Sequence, residues 1–315
     1  MSRLVPSSHV ELVSLDRPFS NFRFAEERFS GSFPIRRLFS QARSRKCKTL
    51  VLEDVYPHGS VEAENVEIKE YYPDFQPLQL KRLSFWKETV TEIGEVDHLL
   101  SKDCVGYAIL KLDQVPSKGY QRWTVFDSIM TRYEHHHNFT PCARTFSFRT
   151  GNKEFEITGV LYCQQNGLNK ACAQVALRSI CATYSGNIDL SYRVINQLAF
   201  QAGELFTPGT GLQSNQIRHV LDGLGIAYYD IDYASNPEGF RDVLPFQRLL
   251  YSGIESGSGA LVAFKMSGPK AGEVGHIIPC FGHTFNEDTW AANADGDYFK
   301  VGVDIKYVPR ESLNK

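Results

Sequence analysis

The chain of 315 residues is 42% hydrophobic and 22% charged, enough apolar material to bury a sizeable core in one large domain or two ordinary ones. Thirty-four Lys and Arg against 36 Asp and Glu leave a net charge of −2, which removes the electrostatic case for nucleic acid or an anionic membrane as partner. No apolar run approaches the ~20 residues that cross a bilayer. The first stretch, MSRLVPSSHVELVSLDRPF, lacks the apolar segment of a signal peptide. Seven cysteines, at 47, 104, 142, 163, 172, 181 and 280, make an odd number without a CxxC pair. Such usage fits reduced thiols and a cytoplasmic setting.

Residues 1–45 are rich in Ser, Arg, Phe and Pro without sustained periodicity and read as an irregular N-terminal arm. Residues 46–160 form a β-rich region. KTLVLEDVY, CVGYAILKL and RWTVFDSIM are strand-like runs broken by Pro, Gly and Ser. SFWKETVTEIGEVDHLL between them reads as a helix, and RTFSFRTGNKEFEITGVLY as a hairpin turning at Gly151-Asn152.

The texture changes over residues 161–315. NKACAQVALRSICATY has helical spacing, with Val175, Leu177, Ile180 and Tyr184 apolar and Asn169 as N-cap. DLSYRVINQLAFQAG, ended by Gly203, and TGLQSNQIRHVLDGLG, ended by Gly225, are two more helices. IAYYDIDY reads as a strand, EGFRDVLPFQRLLYSG as mainly helix, and ALVAFKM, HIIPCFGHTF and TWAANAD as successive strands. Helices followed by an antiparallel sheet give an α+β class.

Cys172 falls in the first turn of its helix, where the helix N-terminus favours a thiolate. Gln164, Gln165 and Asn166 lie just upstream. A side-chain amide there can donate to the oxyanion of a tetrahedral intermediate beside the Cys172 backbone N–H. Gly167 permits a sharp turn, and Ala171 and Ala173 leave the thiol reachable. A thiol nucleophile needs a base on another element and an orienter behind the base. His276 opens the strand HIIPCFG after a Gly-rich loop. Asn293 and Asp295 lie beyond it on TWAANAD, share strand parity, and both remain orienter candidates. His283 is the weaker base candidate.

The order Gln…Cys-Ala-x-x-Ala-Leu on a helix, a helix from Gly-Leu to Leu-Gly, a strand ALVAF and then GHIIP resembles the papain-like cysteine peptidases, most closely their C39-like branch. The likeness covers roughly residues 160–300. It implies a papain-like fold, with helices carrying the cysteine and an antiparallel sheet carrying the histidine. It also implies roles: Gln165 as oxyanion donor, Cys172 as nucleophile, His276 as base, and Asn293 or Asp295 as orienter. Gln165 is seven residues before Cys172, where the family usually has six, the separation of Asn166.

The implied reaction is hydrolysis of a peptide or isopeptide bond through an acyl-thioester, with a peptide or protein as partner and no cofactor or metal. A transglutaminase-like acyl transferase on the same residues, or an inactive papain-like module that binds peptide or protein, are the alternatives. His135, His136 and His137 near Cys142 lack ligand spacing for a metal. NADGDYF lacks the glycine and the final glutamate of a calcium loop. There is no GxxxxGK[ST] and no GxSxG.

Overall fold

The computed structural model describes residues 6–15, 21–30, 32–57, 59–132, 138–168, 172–185, 190–200, 211–233, 246–268 and 272–284. In chain order the elements are β1 (Pro6–Ser14), α1 (Asn21–Phe29), α2 (Phe33–Ser44), β2 (Thr49–Val55), α3 (Ser60–Tyr71), β3 (Gln76–Trp86) and α4 (Ile93–Val96). Then come β4 (Cys104–Val115), β5 (Tyr120–Thr131), β6 (Asn138–Phe139), β7 (Arg144–Thr150) and β8 (Lys153–Tyr162). The remainder is α5 (Cys172–Ser185), α6 (Tyr192–Ala199), α7 (Ser214–Gly223), α8 (Phe246–Glu255), β9 (Ala260–Gly268), β10 (Gly272–Cys280) and β11 (His283–Thr284). The class is α+β.

Seven strands form one antiparallel sheet in the order β1-β2-β3-β4-β5-β8-β7. Alternation splits its side chains between two cores. Leu50, Leu52, Leu83, Phe85, Val105, Leu110 and Trp123 face α1 and α2. Val51, Trp86, Tyr107, Ile109 and Phe126 face the other way, toward α5, α6 and α7. The sheet curls, so Trp86 on β3 meets Phe155 on β8, ring centroids 4.8 Å apart. The β7–β8 turn is held in this curl by Glu53 on β2. Its carboxylate binds the Arg82 guanidinium through two 2.7 Å bonds and accepts the Gly151 N–H at 3.0 Å. Gly151 has φ +56°, the left-handed geometry that the expected Gly151-Asn152 turn requires. Gly159 is needed for another reason, since a Cβ there would lie 2.5 Å from the Met130 carbonyl oxygen on the next strand.

Three expectations are corrected, and one helix was missed. The segment 1–45 is not an irregular arm: it supplies edge strand β1 and helices α1 and α2. Ile35, Leu38, Phe39 and Ala42 recur at helical spacing and are buried on the sheet, as are Ala25 and Phe29. Interspersed arginines and serines masked that stripe. The expected helix over residues 84–100 is instead the end of β3, with only α4 helical, because Phe85 and Trp86 are both fully buried on opposite faces, a period of two. IAYYDIDY forms no strand; residues 226–232 are irregular and Tyr229 is 98% exposed. Helix α3 was not foreseen, because its buried side carries Glu64 and Glu67 beside Val61 and Ile68. Asn169, Gly203, Pro245 and the strand TWAANAD lie outside the described residues.

The two halves share one core. Leu177, Cys181, Ile195 and Val220 pack in the same cluster as Val51, Trp86 and Phe126. Strands β9 and β10 form their own two-stranded ribbon; the join to the first half runs through α5, which packs on both, and through the short β6–β11 pair, where His283 faces Phe139. At that join Arg178 on α5 is fully buried. Its guanidinium binds both oxygens of Asp127 on β5, Ser60 Oγ at 3.2 Å and the Leu190 carbonyl at 3.0 Å. It lies 4.4 Å from the centre of the Phe126 ring. Among the described residues no helix is long and apolar enough to cross a membrane.

Removing one member of such a pair leaves a buried charge without compensation. Asp127→Ala should therefore cost about 3–5 kcal/mol, read as a fall in the urea midpoint. A fragment lacking residues 1–150 removes Asp127 and Ser60 together and should be insoluble; a soluble, cooperatively folded fragment would show that the halves are independent.

Candidate active site

Strand β8 ends at Tyr162, and the chain crosses residues 163–168 before α5. That crossing is fixed from several sides. The Gln164 N–H donates to the Val125 carbonyl at 2.9 Å, and its side-chain Oε1 accepts the Val125 N–H at 3.0 Å. The Tyr120 hydroxyl donates to the Asn166 carbonyl at 2.6 Å, and Tyr72 to the Leu168 carbonyl at 3.0 Å. Gly167 takes φ +81°, which allows the turn toward the helix.

These bonds separate the three amide candidates. Gln164 is committed to β5. Asn166 is buried, its Nδ2 donating to Glu64 at 3.0 Å and its Oδ1 accepting the Leu168 N–H at 2.8 Å. Gln165 is half-buried, and no hydrogen bond among the described residues occupies its side chain. Asn166, which has the family's usual spacing, is thus held in a structural network, while Gln165 keeps its amide available.

Cys172 is the first residue of α5 and is half-buried. It packs with Ala173, Ala176, Leu261 and Ile277, the last on β10 next to His276. Of the other cysteines, Cys280 is the one likewise half-buried; the rest are buried. Desolvation pushes the Cys47, Cys163 and Cys181 thiols up to about 12, and also raises Cys104, Cys142 and Cys280.

His276 is half-buried and pairs across the ribbon with Phe264, the two rings edge-on at 5.6 Å. Alternation along β10 sends Ile277 toward α5 and His276 to the other face, with Phe264 and Ile278. Among the described residues no hydrogen bond joins Cys172 to His276. The structure therefore brings the helix start and the histidine strand into contact without closing a thiol–imidazole bond. Asn293 and Asp295 lie outside the described residues, as do His135, His136 and His137. His283 is engaged elsewhere: its Nε2 is 2.7 Å from Glu255 Oε1, and its ring lies between Phe139 and Tyr251. Among the described residues no three His, Cys, Asp or Glu side chains are grouped to hold a metal ion.

Compared with protein-family models, with curated proteins and with solved structures, the chain matches none.

A separate cleft was missed by the sequence reading. It lies between α3 and the β3–β4 ends and is lined by Lys111 and Asp113. Its signal was present in CVGYAILKLDQV, where two opposite charges alternate on the inward face of an otherwise apolar strand.

Accessibility and position single out one thiol. Treated with iodoacetamide at neutral pH, Cys172 should be labelled first of the seven cysteines, with Cys47, Cys163 and Cys181 protected until unfolding. Peptide mapping of the adduct checks this; first labelling at Cys280 would reassign the reactive thiol.

Proposed function

We propose that the protein is a thiol-dependent hydrolase of peptide or isopeptide bonds that works through an acyl-thioester on Cys172. What carries this reading is the placement of a half-buried cysteine at the N-terminal side of α5, packed on the strand of His276. The resemblance of residues 160–300 to the C39-like branch of papain-like peptidases supports the same roles, and Gln165 retains an unengaged amide beside the thiol's helix.

In this reading His276 takes the thiol proton. The Cys172 sulfur then bonds to the substrate carbonyl carbon, and the carbonyl electron pair moves onto oxygen. The Gln165 amide and the Cys172 backbone N–H donate to that oxyanion. Collapse expels the amine, which leaves with the proton from His276, and water then cleaves the thioester by the reverse sequence. Asn293 or Asp295 holds the imidazole in the required tautomer. The scheme carries one structural condition: the β9–β10 ribbon must turn so that the His276 ring leaves Phe264 and reaches the α5 start.

That condition is also what favours a second reading. With His276 on the far face of β10, the domain would bind peptide or protein without cutting it. A transglutaminase-like transferase would differ from the hydrolase only in the acceptor, an amine in place of water.

One set of measurements separates the three. For a hydrolase, a fluorogenic peptide library is turned over, and Cys172→Ser and His276→Ala each reduce kcat/KM on the order of 10³-fold or more. His276→Ala also slows alkylation of Cys172. Incorporation of a labelled amine identifies the transferase. Absence of turnover, with Cys172 alkylation indifferent to His276→Ala, identifies the binding module.

A further inference from the structure

We propose a second site, distinct from Cys172, that binds a small organic cation: a primary ammonium on an apolar stem, held between α3 and the β3–β4 ends with Asp113 as its counter-ion. The inference is independent of the hydrolase reading.

The cleft measures about 560 Å3, within the ~300–1,000 Å3 usual for small-molecule sites. Val55, Val61 and Leu80 supply apolar wall; Asn65, Lys111 and Asp113 supply the polar end. Asp113 is 0% exposed, and its carboxylate has Lys111 as its ion-pair partner, with the ammonium 3.3 Å from Oδ2. The same ammonium makes its shorter contact to Glu64. Lys81, which also lines the cleft, is paired with Asp54 on the adjacent strand. Lys111 thus faces two buried carboxylates, Glu64 and Asp113, with a single positive charge.

Two buried carboxylates that share one ammonium are only partly compensated, and buried charge is costly where its compensation is incomplete. Burial pushes the Asp113 carboxyl up to about 6, and the neighbouring Lys111 ammonium opposes that rise. One further positive charge would balance the cluster. The Asn65 Oδ1 is likewise buried without a hydrogen bond. At the same cleft, then, α3 presents an acceptor without a donor and β4 presents a carboxylate that shares its one ammonium with Glu64. An ammonium offers three donors spread tetrahedrally, which suits acceptors presented from separate elements. The apolar wall then takes the stem.

The test is calorimetric titration of the full chain at neutral pH with methylammonium, butylammonium and phenethylammonium, against the neutral isosteres 1-butanol and 2-phenylethanol. The expected result is saturable binding of the longer-stemmed cations, about tenfold or more tighter than their isosteres, and about tenfold weaker in Asp113→Asn. Asn65→Leu should weaken binding similarly. It alters a half-exposed helix residue, so it decides the question even where Asp113→Asn does not fold. Cys172→Ser should bind as the unaltered chain does. The site is overturned if no cation binds saturably, if cation and isostere bind alike, if Asn65→Leu leaves affinity unchanged, or if Cys172→Ser abolishes binding.

Discussion

The position of Cys172 depends on an arginine six residues along the same helix. Arg178 carries its charge into the middle of the molecule, where it survives only because both oxygens of Asp127 and further acceptors from α3 and the α5–α6 connection meet it. A guanidinium has donors in a fixed planar fork, so satisfying several of them fixes the rotation and height of the helix that bears it. Helix α5 in turn sets where its first residue points and what β10 rests on. The hydrophobic cluster spanning both halves gives the affinity of this docking; the ion pair gives its register. Buried polar contacts between Glu67 on α3, Asn196 on α6 and Gln174 on α5 extend the same alignment.

The seven-stranded sheet is therefore more than a neighbour of the helical part. Residues from β5 and α3 complete the surroundings of α5, and the crossing 163–168 is clamped by Tyr72, just after α3, and Tyr120 of β5. That clamp leaves Gln165 as the amide not drawn into the scaffold. On the other side, the ribbon β9–β10 pairs with no strand of the seven-stranded sheet and packs on α5, so the histidine strand is less directly tied to the sheet than the helix is. The question of function rests on that difference in constraint: a firmly seated thiol beside a strand that shows its histidine to the other side.

Much of the class was legible in the sequence. The β7–β8 hairpin follows from Gly151-Asn152, the helix α7 from its apolar spacing and Gly225, and a helix carrying Cys172 from the apolar stripe of Val175, Leu177, Ile180 and Tyr184. The errors share a physical cause. Helix α3 buries glutamates, so hydrophobic periodicity fails wherever tertiary partners neutralise inward charges. Phe85 and Trp86 look helical beside downstream polar residues until both faces of a sheet are there to receive them. IAYYDIDY shows the reverse: good strand composition without a partner strand among the described residues. For the site, the chain order suggested Cys172 and Gln165, but which face of β10 carries His276 depends on the register with β9, which composition does not reveal.

The buried Arg178–Asp127 pair also has a consequence for how the chain reaches its native state. Its partners are 51 residues apart, and the Arg178–Ser60 contact spans 118. Loops of that length close late, because their entropy is lost before their contacts are gained. During synthesis the sheet and α3 emerge first, and α5 leaves the ribosome carrying a charge whose Asp127 and Ser60 acceptors are already made, the Leu190 carbonyl following 12 residues later. Helix α5 then docks as a unit onto a waiting surface. Until it does, the Trp86–Phe126 face of the sheet stays open to solvent, and that interval is when this protein is most exposed to aggregation.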